Sequence, residues 1–406
     1  MERVSIQRNV FSFHNIDIAQ MKEFVRDYLK CRLENNVCGN NHLYIGPPGI
    51  GKSETVVNVA KELADSKGLI FWEYENTSDP PDDYDKVFVL VLFRLDMVKP
   101  EDLSGFPVPN KQDHTFDYAI PRWAKVLRRA KAGLVVLDEF TNINDDTLLS
   151  AAYDIVLSEK VNLYRFNKPV IALGNPPEVS SLARALPLPL LNRLTVFFVR
   201  EPSVDEWCSY MDVKYGDRWA REVCSFLHAF NDLLIRIPED PEELVPYPTP
   251  RSWTSLAVAL PNAYAELYQA LKERDHKLRR KLVNLVAGFV GPEAAHTFVN
   301  WAYTSVPSIE EVVKNPNIVT TLSDDQMILV VQALANHKHP HWKARVTKVI
   351  DVLLKDSKRA RYAAMLLRFM DEKRRKEYIN YLRKNNARVL YEIRSRIGGG
   401  DLFGTR

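Results

Sequence analysis

Gly46-Pro47-Pro48-Gly49-Ile50-Gly51-Lys52-Ser53 is the stretch that decides the fold. It has the GxxxxGK[ST] spacing, and its surroundings are as informative as its letters. Ahead of it, the short apolar run His42-Leu43-Tyr44-Ile45 reads as a strand. Behind it, Val56, Val59, Ala60, Leu63 and Ala64 recur at helical spacing on one face. Strand, glycine turn and helix in that order predict a loop whose backbone N–H groups turn inward onto phosphate oxygens, since glycine puts no Cβ in the way. Gly46, Pro47, Pro48, Gly49, Ile50, Gly51, Lys52, Ser53 and Glu54 are therefore expected to hold ATP. Lys52 would meet the β- and γ-phosphates as a point charge, the Ser53 hydroxyl would ligate Mg²⁺, and the helix would aim its positive end at the anion.

The other half of such a site comes from Leu134-Val135-Val136-Leu137-Asp138-Glu139. Four apolar residues make a buried strand, and two carboxylates emerge where open α/β sheets place their ligands. Asp138 is expected to hold Mg²⁺, chiefly through water, and Glu139 to polarise an attacking water. Residues 86–95, 170–173 and 195–199 are also short runs rich in Val, Ile, Leu and Phe. With the strands at 42–45 and 134–137 they predict five strands. Helical patterns separate most of these strands, so the sheet should be parallel and covered on both faces. Asn175 stands just past the fourth strand, where its amide can orient water beside Glu139. Residues 76–84, with two prolines and three aspartates, read as a loop. From Ser203 onward the strand patterns stop and helical periodicity takes over, as in Tyr362, Met365, Leu366 and Phe369.

The chain of 406 residues exceeds one ordinary core. An apolar fraction of 46% with 26% charged residues fits a soluble globular protein. The longest apolar run, residues 87–93, falls far short of the ~20 residues a membrane helix needs, so no membrane association is expected. No basic start followed by an apolar stretch marks the N-terminus as a secretory signal. Cys31, Cys38, Cys208 and Cys224 form no CxxC pair. They read as buried thiols in a reducing compartment, and the expected location is cytoplasmic. Residues 355–396 hold 14 Lys/Arg against five Asp/Glu. That excess reads first as a solvated helical face and second as a grip on nucleic acid. His337, His339 and His341 read as an exposed polar loop, and residues 398–406 as a frayed tail.

Taken in order, the motifs resemble an AAA+ ATPase of the MoxR type, in the group whose second helix carries an insert. The resemblance covers about residues 41–315: the glycine loop, Arg94-Leu95-Asp96-Met97, Glu101-Asp102-Leu103-Ser104-Gly105-Phe106-Pro107, Asp138-Glu139, Gly174-Asn175-Pro176, Leu191-Asn192-Arg193-Leu194 and Thr249-Pro250-Arg251-Ser252-Trp253. It implies an α/β P-loop core over 41–202 with a five-stranded parallel sheet between helices and an insert at about 98–121. A helical lead-in over 1–40 would precede the core, with a helical lid over 203–315 and a basic helical extension over 316–406 after it. By the same resemblance, Asn175 is the first sensor and Arg193 a finger reaching a neighbouring subunit's site, with Arg184 a weaker candidate. Arg251 is the second sensor, and Trp253 belongs to the lid core. Tyr164, Arg165 and Phe166 fall in a hairpin of the kind that lines ring pores. The implied assembly is a homo-oligomer, a hexameric ring that spends ATP on remodelling a partner carrying a von Willebrand factor A domain. A nucleic-acid motor using the basic extension is the alternative.

Overall fold

The protein is described from a computed structural model, covering residues 15–35, 37–75, 82–112, 115–177, 186–238, 245–304, 307, 309–337 and 339–397. The chain divides into two compact units, with the boundary between Pro202 and Ser203. The first unit carries a seven-stranded parallel sheet. Its strands are β1 (Asn15–Ile16), β2 (His42–Ile45), β3 (Ile70–Glu73), β4 (Val87–Arg94), β7 (Ala132–Asp138), β10 (Val170–Gly174) and β11 (Thr195–Val199). They lie in the order β1-β11-β2-β10-β7-β4-β3. Two hairpins, β5 (Phe106–Asn110) with β6 (Thr115–Ala119) and β8 (Lys160–Val161) with β9 (Tyr164–Arg165), stand outside the sheet. The helices are α1 (Ile18–Glu34), α2 (Lys52–Ser66), α3 (Pro100–Ser104), α4 (Arg122–Arg129), α5 (Asp146–Ser158) and α6 (Leu188–Leu191).

The five expected strands are the sheet's interior five, so the count of five is corrected to seven by its two edges. Both edges are weak in sequence. β1 has two residues, and β3 is partly solvated throughout, with neither an alternating nor a fully apolar pattern. β10, and β7 as far as Leu137, are apolar and buried because both of their faces are covered. α1 buries Met21, Val25, Tyr28 and Leu29, a single stripe at helical spacing, after an Asp17–Gln20 capping box.

Beneath that stripe lies a polar inclusion. The His42 ring stacks on Tyr28 at 4.0 Å between centroids, and its Nδ1 is 3.0 Å from the Tyr44 hydroxyl. Burial pushes the imidazole pKa down to about 4. A base whose pKa is lower folded than unfolded binds more protons when unfolded, so stability is full above about pH 6.5 and is lost as pH falls toward 4. We expect His42→Phe to remove about 3 kcal/mol of that acid sensitivity, at 1.36 kcal/mol per pKa unit. Urea unfolding of both proteins at pH 7 and pH 4.5 measures it. Parallel losses in the two would disprove the assignment.

Within the expected insert, α3 leads into the β5–β6 hairpin. Gly105 makes that turn at φ 75°, and a Cβ there would stand 2.1 Å from the Ala119 carbonyl oxygen. All ten hairpin residues are exposed, Phe106, Phe116 and Tyr118 among them. In the second hairpin, Leu163 at the tip is 96% exposed, while Phe166 is fully buried and packs on Trp123. Of the three residues expected there, Tyr164 and Arg165 form the strand and Phe166 belongs to the core.

The second unit is helical, with no strand among its described residues. It opens with α7 (Val204–Tyr215), α8 (Arg221–Ala229) and α9 (Pro250–Asn262), and further helices run from Ala265–Glu273 to Ala387–Ile397. One apolar cluster joins Val204 to Ile393, so residues on either side of 315 share a core. Trp253 is fully buried there and donates its Nε1–H to the Leu233 carbonyl at 2.6 Å. The basic stretch is less free than its composition suggests. Arg361 meets Asp324 at 2.6 Å, Arg388 meets Asp351 at 2.7 Å, and Arg374 lies over the Trp342 ring at 3.7 Å.

The cysteines depart from expectation. Cys31 is bonded to Cys38 and Cys208 to Cys224, and no cysteine is free. The first pair stands seven positions apart, across the end of α1, and the second sixteen positions apart, across the α7–α8 connection. Neither spacing carries a signature. Both pairs exist because the backbone folds back, which a motif search for CxxC does not register.

Candidate functional site

The glycine loop leaves the end of β2 and is pinned at its root. The Gly46 N–H donates to the Gly174 carbonyl at 3.1 Å, while a Cβ on Gly46 would stand 2.6 Å from the Val199 carbonyl oxygen. β10 and β11 flank β2, so the loop emerges between two strands that tolerate only glycine there. Gly49 and Gly51 take φ of 75° and 99°, which side chains with a Cβ adopt only under strain. Gly51 is also the N-cap of the 15-residue α2, with no side chain capping it, and a Cβ there would meet nothing within 4 Å. The first-turn N–H groups and the positive end of the helix dipole are thus left without a side-chain cap, an arrangement that suits phosphate.

Parallel register then brings the acids up beside the loop. Arg94 on β4 pairs with Asp138 on β7, and Gly174 on β10 pairs with Ile45 on β2. Ser53 Oγ donates to Asp138 Oδ2 at 2.6 Å. The two oxygens expected to serve one Mg²⁺ therefore already share a point in space, and hard oxygen donors of this kind suit that ion.

Lys52 is buried, and its Nζ donates to the carbonyls of Gly46 at 2.7 Å and Pro47 at 2.9 Å and to Asn175 Oδ1 at 3.1 Å. Asn175, also buried, passes its Nδ2–H to Glu139 Oε2 at 2.7 Å. Asn142 Nδ2 donates to the same carboxylate oxygen. One amide thus joins the loop's cation to the acid. Glu139 sits at φ 58°, a conformation that costs of order 1–3 kcal/mol and clusters at functional sites. Its pKa is raised, first by burial and then by the neighbouring Asp138 charge, with Lys52 pulling the other way.

Two contributors have no signal of their own in the sequence. Thr141, buried behind Asn175, accepts that residue's N–H at 2.8 Å and donates to its carbonyl at 2.9 Å through one hydroxyl. The methyl and hydroxyl of Thr141 also fill the space above Gly174, where a Cβ would lie 2.6 Å from Cγ2. Thr141→Val keeps the shape and strips both bonds, leaving a buried N–H unpaired. We expect a stability loss of about 1–3 kcal/mol, read by chemical denaturation, together with a lowered turnover as Asn175 loosens. An unchanged midpoint and rate would refute it. Asn142, three residues past Glu139, could have been suspected only by knowing that the chain turns there into a short 3₁₀ helix.

No hydrogen bond or ion pair among the described residues joins the remaining expected residues to this cluster. Arg193 follows α6, is exposed, and has no side-chain partner among the described residues. Arg251, the second residue of α9, is exposed in the other unit behind a Thr249–Ser252 capping box. Arg184 lies outside the described residues, as do residues 76–81 of the expected loop and the tail 398–406.

A strand, glycine loop and helix at a sheet whose order reverses beside the loop define an α/β protein of the P-loop arrangement. No protein-family model matches the chain, and no curated protein does. Among solved structures, it is similar to the Aeropyrum pernix ORC1 protein in complex with DNA, at 14% identity and a TM-score of 0.38, covering 82% of each chain. The Aeropyrum pernix ORC2 protein in its ADPNP–ADP complexes gives 13% identity and a TM-score of 0.36, over 90% of this chain and 84% of that one. Cdc6p from Pyrobaculum aerophilum gives 13% and 0.38, over 90% and 85%. Likeness of that degree leaves the function to the chemistry of the site.

Proposed function

We propose that this chain is an ATPase of the AAA+ type, binding ATP in the loop from Gly46 to Ser53 and hydrolysing it with Glu139. The observation that carries this reading is the continuous chain Lys52–Asn175–Glu139 facing the Ser53–Asp138 pair. Lys52 supplies positive charge at the loop. The uncapped α2 N-terminus and the glycine N–H groups supply donors that cost no rearrangement. Glu139, with a raised pKa and one oxygen fixed by two amides, would accept the proton of the attacking water, with Asn175 beside it to orient that water. Mg²⁺ at Ser53 and Asp138 would neutralise charge developing on the phosphates.

The finer reading is a MoxR-like ring that remodels a partner protein, with Arg193 completing a neighbour's site, Arg251 acting as a second sensor, and the exposed β5–β6 hairpin meeting the client. It rests on the motif order together with the exposed Arg193, which has no side-chain partner among the described residues, and a hairpin that leaves three aromatic rings in solvent. The ion pairs that occupy Arg361 and Arg388 favour this over a nucleic-acid grip by the basic helices. ATP turnover measured with and without single-stranded DNA and RNA tests the choice. Stimulation by either, weakening steeply with salt, would overturn the protein-remodelling reading.

A further inference from the structure

The second unit carries a group of side chains that the ATPase reading leaves unused. Asp205 and Cys208 stand three apart on α7, and Cys224 and His228 four apart on α8. Those spacings put each pair on one face of its helix, and the two faces meet. The sulfurs of Cys208 and Cys224 are bonded, with Cα atoms 5.9 Å apart. His228 Nε2 is 4.0 Å from Cys208 Sγ and 3.6 Å from Asp205 Oδ1. One ligand atom from each of Cys208, Cys224 and His228 lies within 4.8 Å of the others.

We propose that this group is a redox-gated zinc site: with the disulfide reduced, Cys208, Cys224 and His228 bind Zn²⁺, and Asp205, which stands beside His228 but outside the group of three, turns in to close a four-coordinate shell. Two thiolates, an imidazole and a carboxylate are the donors zinc takes, and a tetrahedron built from them has S–S and S–N edges of about 3.5–3.8 Å. The His228 nitrogen already stands near that distance from Cys208. The sulfurs reach it by parting, which a change of χ1 at either cysteine allows. The disulfide is the competing state. A dithiol gives up two electrons and two protons to it, becoming a disulfide itself and leaving two protein thiols. Zinc then displaces the two thiol protons as the sulfurs bind as thiolates. A small disulfide reverses the sequence: it takes two electrons from the thiolates and two protons from solvent, leaves as a dithiol, and the re-formed protein disulfide releases the ion. In either state α7 and α8 remain stapled, by S–S in one and by metal in the other. The arrangement differs from the Cys31–Cys38 pair, where no histidine or carboxylate joins the sulfurs among the described residues.

The test uses the full chain, reduced with a phosphine and desalted without oxygen, then titrated with Zn²⁺ against a chromogenic chelator and with Co²⁺ by absorption. The expected result is one equivalent bound at the 208–224 pair. Co²⁺ should show the thiolate charge-transfer and intense visible bands of a tetrahedral site, and the untreated disulfide form should show neither. Cys208→Ser should abolish the bands, and His228→Gln should weaken zinc binding at least tenfold. Cys31→Ser should change nothing. If the serine variant does not fold, zinc protection of Cys208 and Cys224 from alkylation in the wild-type chain, read by peptide mass, replaces it. Absent uptake by the reduced protein, uptake surviving in Cys208→Ser, uptake lost in Cys31→Ser, or no protection would each overturn the proposal.

Discussion

Glu139→Gln is expected to lower ATP turnover by about 10²–10⁴-fold while leaving nucleotide binding intact. The carboxylate lies beyond Asn175 from the loop, so Lys52, Ser53 and the glycine N–H groups keep their positions when its charge goes. The amide is isosteric, and its oxygen still accepts from Asn142 and Asn175. What it loses is the ability to take a proton. The same substitution should also stabilise the unit that holds the site. A carboxyl whose pKa is raised on folding binds more protons folded than unfolded, so stability falls as pH rises through the interval above its ordinary value. At neutral pH the charged group pays burial and the repulsion of Asp138, and glutamine pays neither. A higher melting temperature is expected at pH 7.5. The gain should shrink toward pH 4.5. Turnover retained within fivefold, or a gain that grows with acid, would remove Glu139 from the role.

Arg193→Ala is expected to cost about 10³-fold or more in turnover, the scale of a transition-state arginine supplied across an interface, with no loss of folding stability. The stability half follows from its setting: the side chain is exposed and makes no ion pair among the described residues, so no described group is left unsatisfied by its removal. The kinetic half depends on a neighbouring copy. Mixing Arg193→Ala with Lys52→Ala should restore part of the activity, because one subunit would lend an intact loop and the other an intact arginine. Absent recovery at every mixing ratio, with both variants assembled, would show that Arg193 does not serve a shared site. A fall in melting temperature would instead assign it a local structural role.

The parts of this protein that were legible in the sequence are those built from contiguous residues under strong local rules. The loop at 46–53 is readable because glycine at φ 75° and 99° has few substitutes, and α2 because its apolar stripe repeats along 15 residues. The inner strands announce themselves since burial on both faces demands unbroken Val, Ile and Leu. Thr249 and Pro250 mark the start of α9 by the same kind of rule. The edge strands β1 and β3 carry no such demand, one face or more being solvated. A position between a helix and a strand, with the motif resemblance, suggested a hairpin for Tyr164, Arg165 and Phe166, but could not separate the exposed Leu163 from the buried Phe166.

By itself the sequence determined where the glycine loop turns between strand and helix and which carboxylates follow a buried strand, since backbone freedom and hydrophobic pattern act over a few neighbouring residues. The tertiary structure alone decided that Thr141 clasps Asn175, that His42 sits uncharged under Tyr28, and that Cys208 and Cys224 meet across two helices with His228. Each of those depends on chain segments that fold against one another from far apart. Hydrogen bonds, pKa shifts and sulfur pairings are set by the distance in space that results, for which spacing along the chain holds no code.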